Sequence, residues 1–210
     1  MFVIDISHHQ SISNYFNRNI WKCYDSDRFM IENVKRIIIR THYGVIRDRL
    51  FEQHIENARQ RGIEVETYIW IRPNLPNQHI DFIAVNNKYS IKRAWIDIEE
   101  NGLTDDFCHS TIEKVKNNGF CVGIYSRDNI INKMPKSMSI SDAYWMAYYT
   151  YNKQKNRVLC LEQNKTVRDG SFLNIFRKPI SKNKYIGWQF TSAFKIDNYA
   201  GDIDMNYFSE

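Results

Sequence analysis

Apolar positions along the chain gather in short runs rich in β-branched and aromatic residues, and polar stretches separate them. The runs are "FVIDIS" (2–7), "RIIIRT" (36–41), "VETYIWI" (65–71), "RAWIDIE" (93–99), "CVGIYS" (121–126), "AYWMAYY" (143–149), "YIGWQF" (185–190) and "GDIDMNYF" (201–208). Their length and composition predict eight strands. Two intervening stretches carry helical spacing instead. "RLFEQHIENARQRG" puts Leu50, Phe51, His54, Ile55 and Ala58 on one stripe and stops at Gly62. "TDDFCHSTIEKVKNNG" opens on Thr104 as N-cap, has two aspartates in its first turn to complement the helix dipole, and stops at Gly119.

Strand, helix, strand in succession implies parallel pairing through right-handed crossovers, and eight such strands predict a closed α/β barrel of the (β/α)₈ type. Residues 150–184 show no clear amphipathic helix, so the barrel is expected to be irregular, with reduced helices in its second half. Residues 1–210 read as one domain. A hydrophobic content of 43% with 25% charged residues is that of a folded globular chain and excludes a disordered one. The formal charge of +5 is spread without a basic run, so no nucleic-acid arm is expected, while a mild basic excess suits polyanionic surfaces such as cell walls. Cys23, Cys108, Cys121 and Cys160 lack metal or disulfide-scaffold spacing and read as free thiols. "MFVIDIS" lacks the basic and apolar regions of a signal peptide, and no run approaches the roughly 20 apolar residues of a membrane helix. The expectation is a chain made in the cytoplasm, without membrane insertion.

The chemistry of such a barrel belongs at the C-terminal ends of its strands. In "AWIDIEE" (94–100), alternation points Trp95, Asp97 and Glu99 one way and Ala94, Ile96 and Ile98 the other. The apolar set faces outer helices, so the acids face the barrel mouth. Two carboxyls this close raise one another's pKa until one holds a proton, and a protonated acid beside an ionised one is the equipment of glycosidic cleavage. A bare D-x-E also fits a solvated turn or a metal ligand. Asp5 ends the first predicted strand and Asp204 lies in the last, which closure makes neighbours; Asp202 is expected to face solvent. Tyr68 with Trp70, Tyr125, and Trp145 with Tyr149 occupy matching strand ends, and aromatic rings among carboxylates suit a sugar site. His8 and His9 have no H-E-x-x-H or H-x-x-E-H context, so they read as hydrogen-bonding or substrate-contacting residues, with no metal and no cofactor expected.

With these motifs in order, the chain resembles glycoside hydrolase family 25, the Chalaropsis-type lysozymes. "IDISHHQ" is similar to the family's opening, "IIIRTHYG" and "DRLFEQHIENARQRGIEVETYIW" to its second strand, helix and third strand, and "WIDIE" to its D-x-E. "GIYS", "YWMAYY", "WQFTS" and "GDIDMNYF" match its later strands. The resemblance implies a flattened, irregular barrel that hydrolyses the β-1,4 bond between N-acetylmuramic acid and N-acetylglucosamine in bacterial peptidoglycan. It places Glu99 on the general acid/base, Asp97 on its partner carboxylate, and Asp5 and Asp204 on the other acids. Tyr68, Tyr125, Trp145, Tyr149 and Gln189 fall on positions lining the groove. "RTHYG" departs from an acid-containing version of that stretch, and residues 14–34 look longer than the usual first loop, an insertion able to reshape one end of the groove. With no secretion signal visible, a phage or prophage lysin is expected, released to the wall through a separate holin; no wall-binding repeats are recognisable, so the chain reads as a catalytic domain alone or one that depends on a separate wall-binding partner. Two rivals are a catalytically inactive glycan-binding barrel, which would be free to lose Glu99, and a chitinase, against which "KRAW" before Asp97 argues.

Overall fold

A computed structural model describes residues 1–149, 165–171 and 179–209. β1 (Phe2–Ile6) leads through α1 (Ile20–Ser26) and α2 (Arg28–Asn33) to β2 (Val34–Tyr43), which turns back in a two-residue β3 (Ile46–Arg47). α3 (Phe51–Gln60), β4 (Glu64–Trp70), α4 (Gln78–Lys88), β5 (Arg93–Asp97), α5 (Asp105–Lys116) and β6 (Cys121–Ser126) follow in strict alternation. Then come α6 (Asp128–Ile131), α7 (Pro135–Ile140), β7 (Ala143–Ala147), a short helix over 165–169, β8 (Gly187–Phe194) and β9 (Ile203–Phe208). The late helices are short, as expected. Cys160 and most of the stretch expected to be helix-poor lie outside the described residues.

β1 pairs with both β2 and β9, which closes an eight-stranded barrel with β3 as an appendage. Pairing is parallel from β1 through β2 and β4 to β8, but β9 runs antiparallel to both its neighbours. This corrects the all-parallel expectation, and the reason is chain length. Residues 195–202 between β8 and β9 are too few for a parallel crossover, so the chain returns as a hairpin. Reversal has a consequence for chemistry: it brings the start of β9, where Asp204 sits, to the same end of the barrel as the C-terminal ends of the other strands.

Alternation sorts the strands into two cores. Ile37, Ile39, Ile69, Ala94, Ile96 and Ile124 face outward and pack with Phe51, Ile55, Phe82, Cys108, Ile112 and Val115 of the helices. Val3, Ile38, Tyr68, Trp95, Tyr125, Trp145 and Phe208 fill the interior. A full Trp95 ring fits there because Gly123 stands opposite, where a Cβ would lie 2.3 Å from that ring. Both predicted helices form with their expected stops, Gly62 and Gly119 at positive φ, and Thr104 Oγ1 accepts from the Phe107 amide as N-cap. Residues 14–34, read from sequence as a lengthened first loop, are largely helical. They hold a regular crossover, α1 and α2, which buries Trp21, Cys23, Tyr24 and Met30. Asp27 caps α2 and pairs with Arg168 at 2.7 Å, tying this crossover to the late helix.

Candidate active site

Register carries the sequence-distant acids to one place. Asp5 lies directly across from Asp204 in the β1–β9 ladder. Asp97 pairs in register with Trp70 on one side and Tyr125 on the other, and Tyr125 with Trp145. Glu99 follows two residues past the end of β5, at the rim. The result is a cleft of ≈ 400 Å³ lined by Asp5, Tyr68, Trp70, Asp97, Glu99, Tyr125, Trp145, Tyr149, Gln189 and Asp204. The four acids, the five groove residues that the resemblance implies, and Trp70 therefore meet at one mouth. Asp202 is exposed, as expected, and pairs with Lys195.

The four acids differ in surroundings. Asp97 is almost wholly buried, and burial, then the charges of Glu99 and Asp5, hold its pKa well above the usual carboxylate range. Its Oδ1 is buried without a hydrogen-bond partner among the described residues. Asp5 is likewise raised well above the ordinary value by burial and by Asp204, while Asp204 is pushed up to about 6, chiefly by burial. Those two hydrogen-bond each other across the β1–β9 ladder, so their protons belong to the pair. Asn206 Nδ2 donates to Asp5 Oδ2 at 2.8 Å, and Gln189 Nε2 approaches it at 3.4 Å. Glu99 is raised by burial too, but Arg127 Nε stands 3.2 Å from its Oε1 and opposes the shift.

The family resemblance makes Glu99 the general acid, a role that requires it to carry the proton of the D-x-E pair. The stronger upward push falls on Asp97, because Asp97 is deeper and only Glu99 hydrogen-bonds a guanidinium, while Arg40 acts on Asp97 by charge alone.

The residues expected to line the groove divide into two sets. Tyr125 and Tyr149 both donate through their hydroxyls to Gln189 Oε1, the latter at 2.7 Å. Gln189, buried, thus links two tyrosines to Asp5. Trp145 donates its Nε1 to Asn206 Oδ1 at 3.0 Å and packs edge-on against Trp95, forming the floor. Rings open at the rim are Tyr149, 37% exposed, and Trp70, whose Nε1 donates to Glu100. Asn206, Arg127 and Arg40 were missed from sequence. Asn206 had a signal, since it sits two residues past Asp204 and shares its face. Arg127 and Arg40 had none. Among the described residues, no three His, Cys, Asp or Glu side chains converge to hold a metal ion. His8 Nδ1 lies 3.0 Å from Asp48 instead.

The arrangement offers, at one mouth, a rim acid, a buried carboxyl with a free oxygen, and a proton-sharing pair held in place by amides. Comparison with known proteins agrees with that chemistry. The chain is similar in fold to the bacterial lysozyme from Streptomyces coelicolor, at TM-score 0.68 and 18% identity, covering 100% of this chain and 92% of that one. It is similar to the catalytic domain of endolysin ply40 from bacteriophage P40 of Listeria monocytogenes, at TM-score 0.65 and 20% identity, covering 100% and 93%. A glycosyl hydrolase 25 of Streptococcus pneumoniae, the virulence factor GHIP, aligns at TM-score 0.68 and 17% identity over 99% and 86%. Among curated proteins none matches. The family model for glycosyl hydrolases family 25 matches residues 4–199. Asp204 lies beyond that match, and the β1–β9 register brings it to the site. On this match the chain belongs to glycosyl hydrolases family 25 and is a glycoside hydrolase.

Proposed function

We propose that this protein is an N-acetylmuramidase, cleaving the β-1,4 bond between N-acetylmuramic acid and N-acetylglucosamine in bacterial peptidoglycan. The observation that carries the reading is the orphaned Oδ1 of Asp97, buried beside Glu99 in a mouth lined by aromatic rings. A lone buried acceptor calls for a donor from substrate. Both sugars of peptidoglycan carry a 2-acetamido N–H suited to it.

In this reading Glu99 protonates the departing glycosidic oxygen as the C1–O bond breaks, and the substrate's own acetamido oxygen forms the new bond to C1. Asp97 accepts the acetamido N–H and balances the positive charge that develops there. Glu99, now a carboxylate, takes a proton from water as that water adds to C1 and the ring of the intermediate opens, which retains the anomeric configuration. Docking of an N–H against Asp97 favours its ionised form and moves the shared proton toward Glu99. Asp5 supports substrate assistance by its preoccupation: it hydrogen-bonds Asp204 and accepts from Asn206 and Gln189, whereas a base for direct water attack needs a free oxygen. Tyr125 and Gln189 act as positioning residues for Asp5, and Trp70 and Tyr149 offer the stacking faces.

The test is digestion of purified peptidoglycan by the parent and by Glu99→Gln, followed by mass spectrometry of borohydride-reduced fragments. Fragments ending in reduced N-acetylmuramic acid are expected from the parent, with turnover about 10²–10⁴-fold lower in the variant. Binding to the wall without cleavage by either protein would replace this reading with a glycan-binding barrel. We extend the proposal to a phage or prophage lysin that reaches the wall from the cytoplasm. Its support is the likeness to an endolysin domain, and an adjacent holin gene is the observation that checks it.

A further inference from the structure

Beside the catalytic cleft, between the C-terminal ends of β1 and β2, lies a second cavity of ≈ 730 Å³. The two are joined by an aromatic wall. Trp70, which lines the cleft, and Tyr43, which lines the cavity, are register partners with ring centroids 5.9 Å apart. The cavity's polar lining is His8, Arg40, Arg47, Asp48 and Arg49. Its two nearest acids are already matched. Asp48 is held at 3.1 Å by Arg40, receives the amides of His8 and Leu50, and has its pKa lowered by them against its burial. Arg47 is paired to Asp81 at 2.7 Å. Arg49 is left exposed, with no ion pair among the described residues, and the Arg72 guanidinium, 4.9 Å from the Tyr43 ring, has a buried Nε without a hydrogen-bond partner. The pocket is thus cationic by surplus, and it continues a sugar-sized groove.

We propose that this cavity is a subsite for an oxyanion carried by the glycan, read by Arg49 from a sugar that lies past Trp70 against Tyr43. Guanidinium groups recognise carboxylates and phosphates through charge-assisted hydrogen bonds, and an aromatic wall beside them holds the sugar face. The inference rests on the peptidoglycan reading. In that polymer the oxyanion is either a carboxylate, of the peptide or of a lactyl group that carries no peptide, or a phosphodiester joining a second wall polymer to the glycan.

The experiment measures binding on the Glu99→Gln protein, so that its outcome is independent of turnover. Affinity is determined for soluble glycan strands from walls stripped of phosphodiester-linked polymer, for unstripped strands, and for a neutral N-acetylglucosamine oligomer. Arg49→Glu is expected to weaken binding to anionic strands about ten-fold, and Arg49→Lys to restore most of it, with the neutral oligomer unaffected. Loss on stripped strands identifies the carboxylate, and loss confined to unstripped strands identifies the phosphate. Lys114→Glu makes the same charge change on the outer face of α5 and is expected to have no effect. Equal affinities for Arg49→Glu and its parent, or an equal loss in Lys114→Glu, would overturn the subsite. Arg49-dependent binding by a protein whose active form releases no fragments would instead overturn the muramidase reading and leave the subsite standing.

Discussion

The two ends of the barrel interior each bury carboxyl groups, and they treat them in opposite ways. At the N-terminal end, Glu66 is 3% exposed, accepts from Trp95 Nε1 at 2.6 Å, and has Arg36 at 3.5 Å and Arg93 at 3.8 Å. Burial raises its pKa, and the indole and both guanidiniums draw it back. At the C-terminal end, Asp5, Asp97 and Asp204 are each raised by burial and by the charge of Glu99, which burial raises in turn, and Arg40 acts on Asp97 and Arg127 on Glu99 in the opposite sense. One β5 side chain, Trp95, separates the two. A buried acid with matched partners holds structure, whereas acids crowded against their own kind cost stability and are retained for chemistry.

The sharpest way to break this comparison is to neutralise one acid at each end. Asp97→Asn is expected to lower kcat about 10²–10³-fold, since an amide offers no charge to balance the developing cation, while the melting temperature holds or rises. Glu66→Ala is expected to do the reverse, with kcat within a few-fold of the parent and a loss of about 3 kcal/mol in denaturant unfolding, because Trp95 Nε1, Arg36 and Arg93 lose their shared acceptor. A large rate loss in Glu66→Ala with unchanged stability would end the division of labour between the two ends.

Much of the mouth was legible in sequence because strand alternation fixes facing without knowledge of the fold. Trp95, Asp97 and Glu99 could be aimed inward from "AWIDIEE" alone, and closure put Asp5 near Asp204. Strand direction was not legible, since it depends on how residues 195–202 turn. The helix α4 was missed because its buried side includes Gln78, His79 and Asn86, which dilute an apolar stripe. The roles of Gln189, Tyr125 and Trp145 also escaped. Their hydrogen bonds to Tyr149, Asp5 and Asn206 join strands far apart in the chain, so a sequence shows polar and aromatic residues at the mouth without showing that they are already engaged.

A smaller effect concerns pH. Asp204 has a folded pKa of about 6, above its ordinary value of 3.8. Its contribution is therefore favourable below the unfolded value and lost as pH rises through about 6. Asp204→Asn is expected to be more stable than the parent at pH 7 by roughly 2 kcal/mol, a gain that fades toward pH 4. His54 works in the opposite sense. It is buried neutral, accepts from Trp21 Nε1, and is pushed down to about 4, so its contribution to stability grows as pH rises from 4 toward 6.5. The parent and the variant share that term, and the difference between their stability curves isolates the mouth. A difference that does not vary with pH would remove Asp204 from the set of destabilising acids.

The finest distinction lies within the mouth, between the deep acid and the rim acid. Glu99 is faced by Asp97 at the end of β5, Asp5 from β1, Asp204 from β9, Tyr125 from β6 and Tyr149 past β7, and by the guanidinium of Arg127. Arg127 favours the carboxylate form of Glu99 and so opposes the protonation that an acid catalyst requires. Arg127→Ala removes that opposition, raises the pKa of Glu99, and is expected to move the alkaline limb of the kcat/KM profile to higher pH. Arg127→Lys, which keeps the charge, is expected to leave the limb near the parent's. Arg127 is largely solvent-exposed, so neither variant should change the melting temperature appreciably. If the limb stays in place in Arg127→Ala, the group that titrates is the deeper Asp97, and the acid role passes from the rim to the interior.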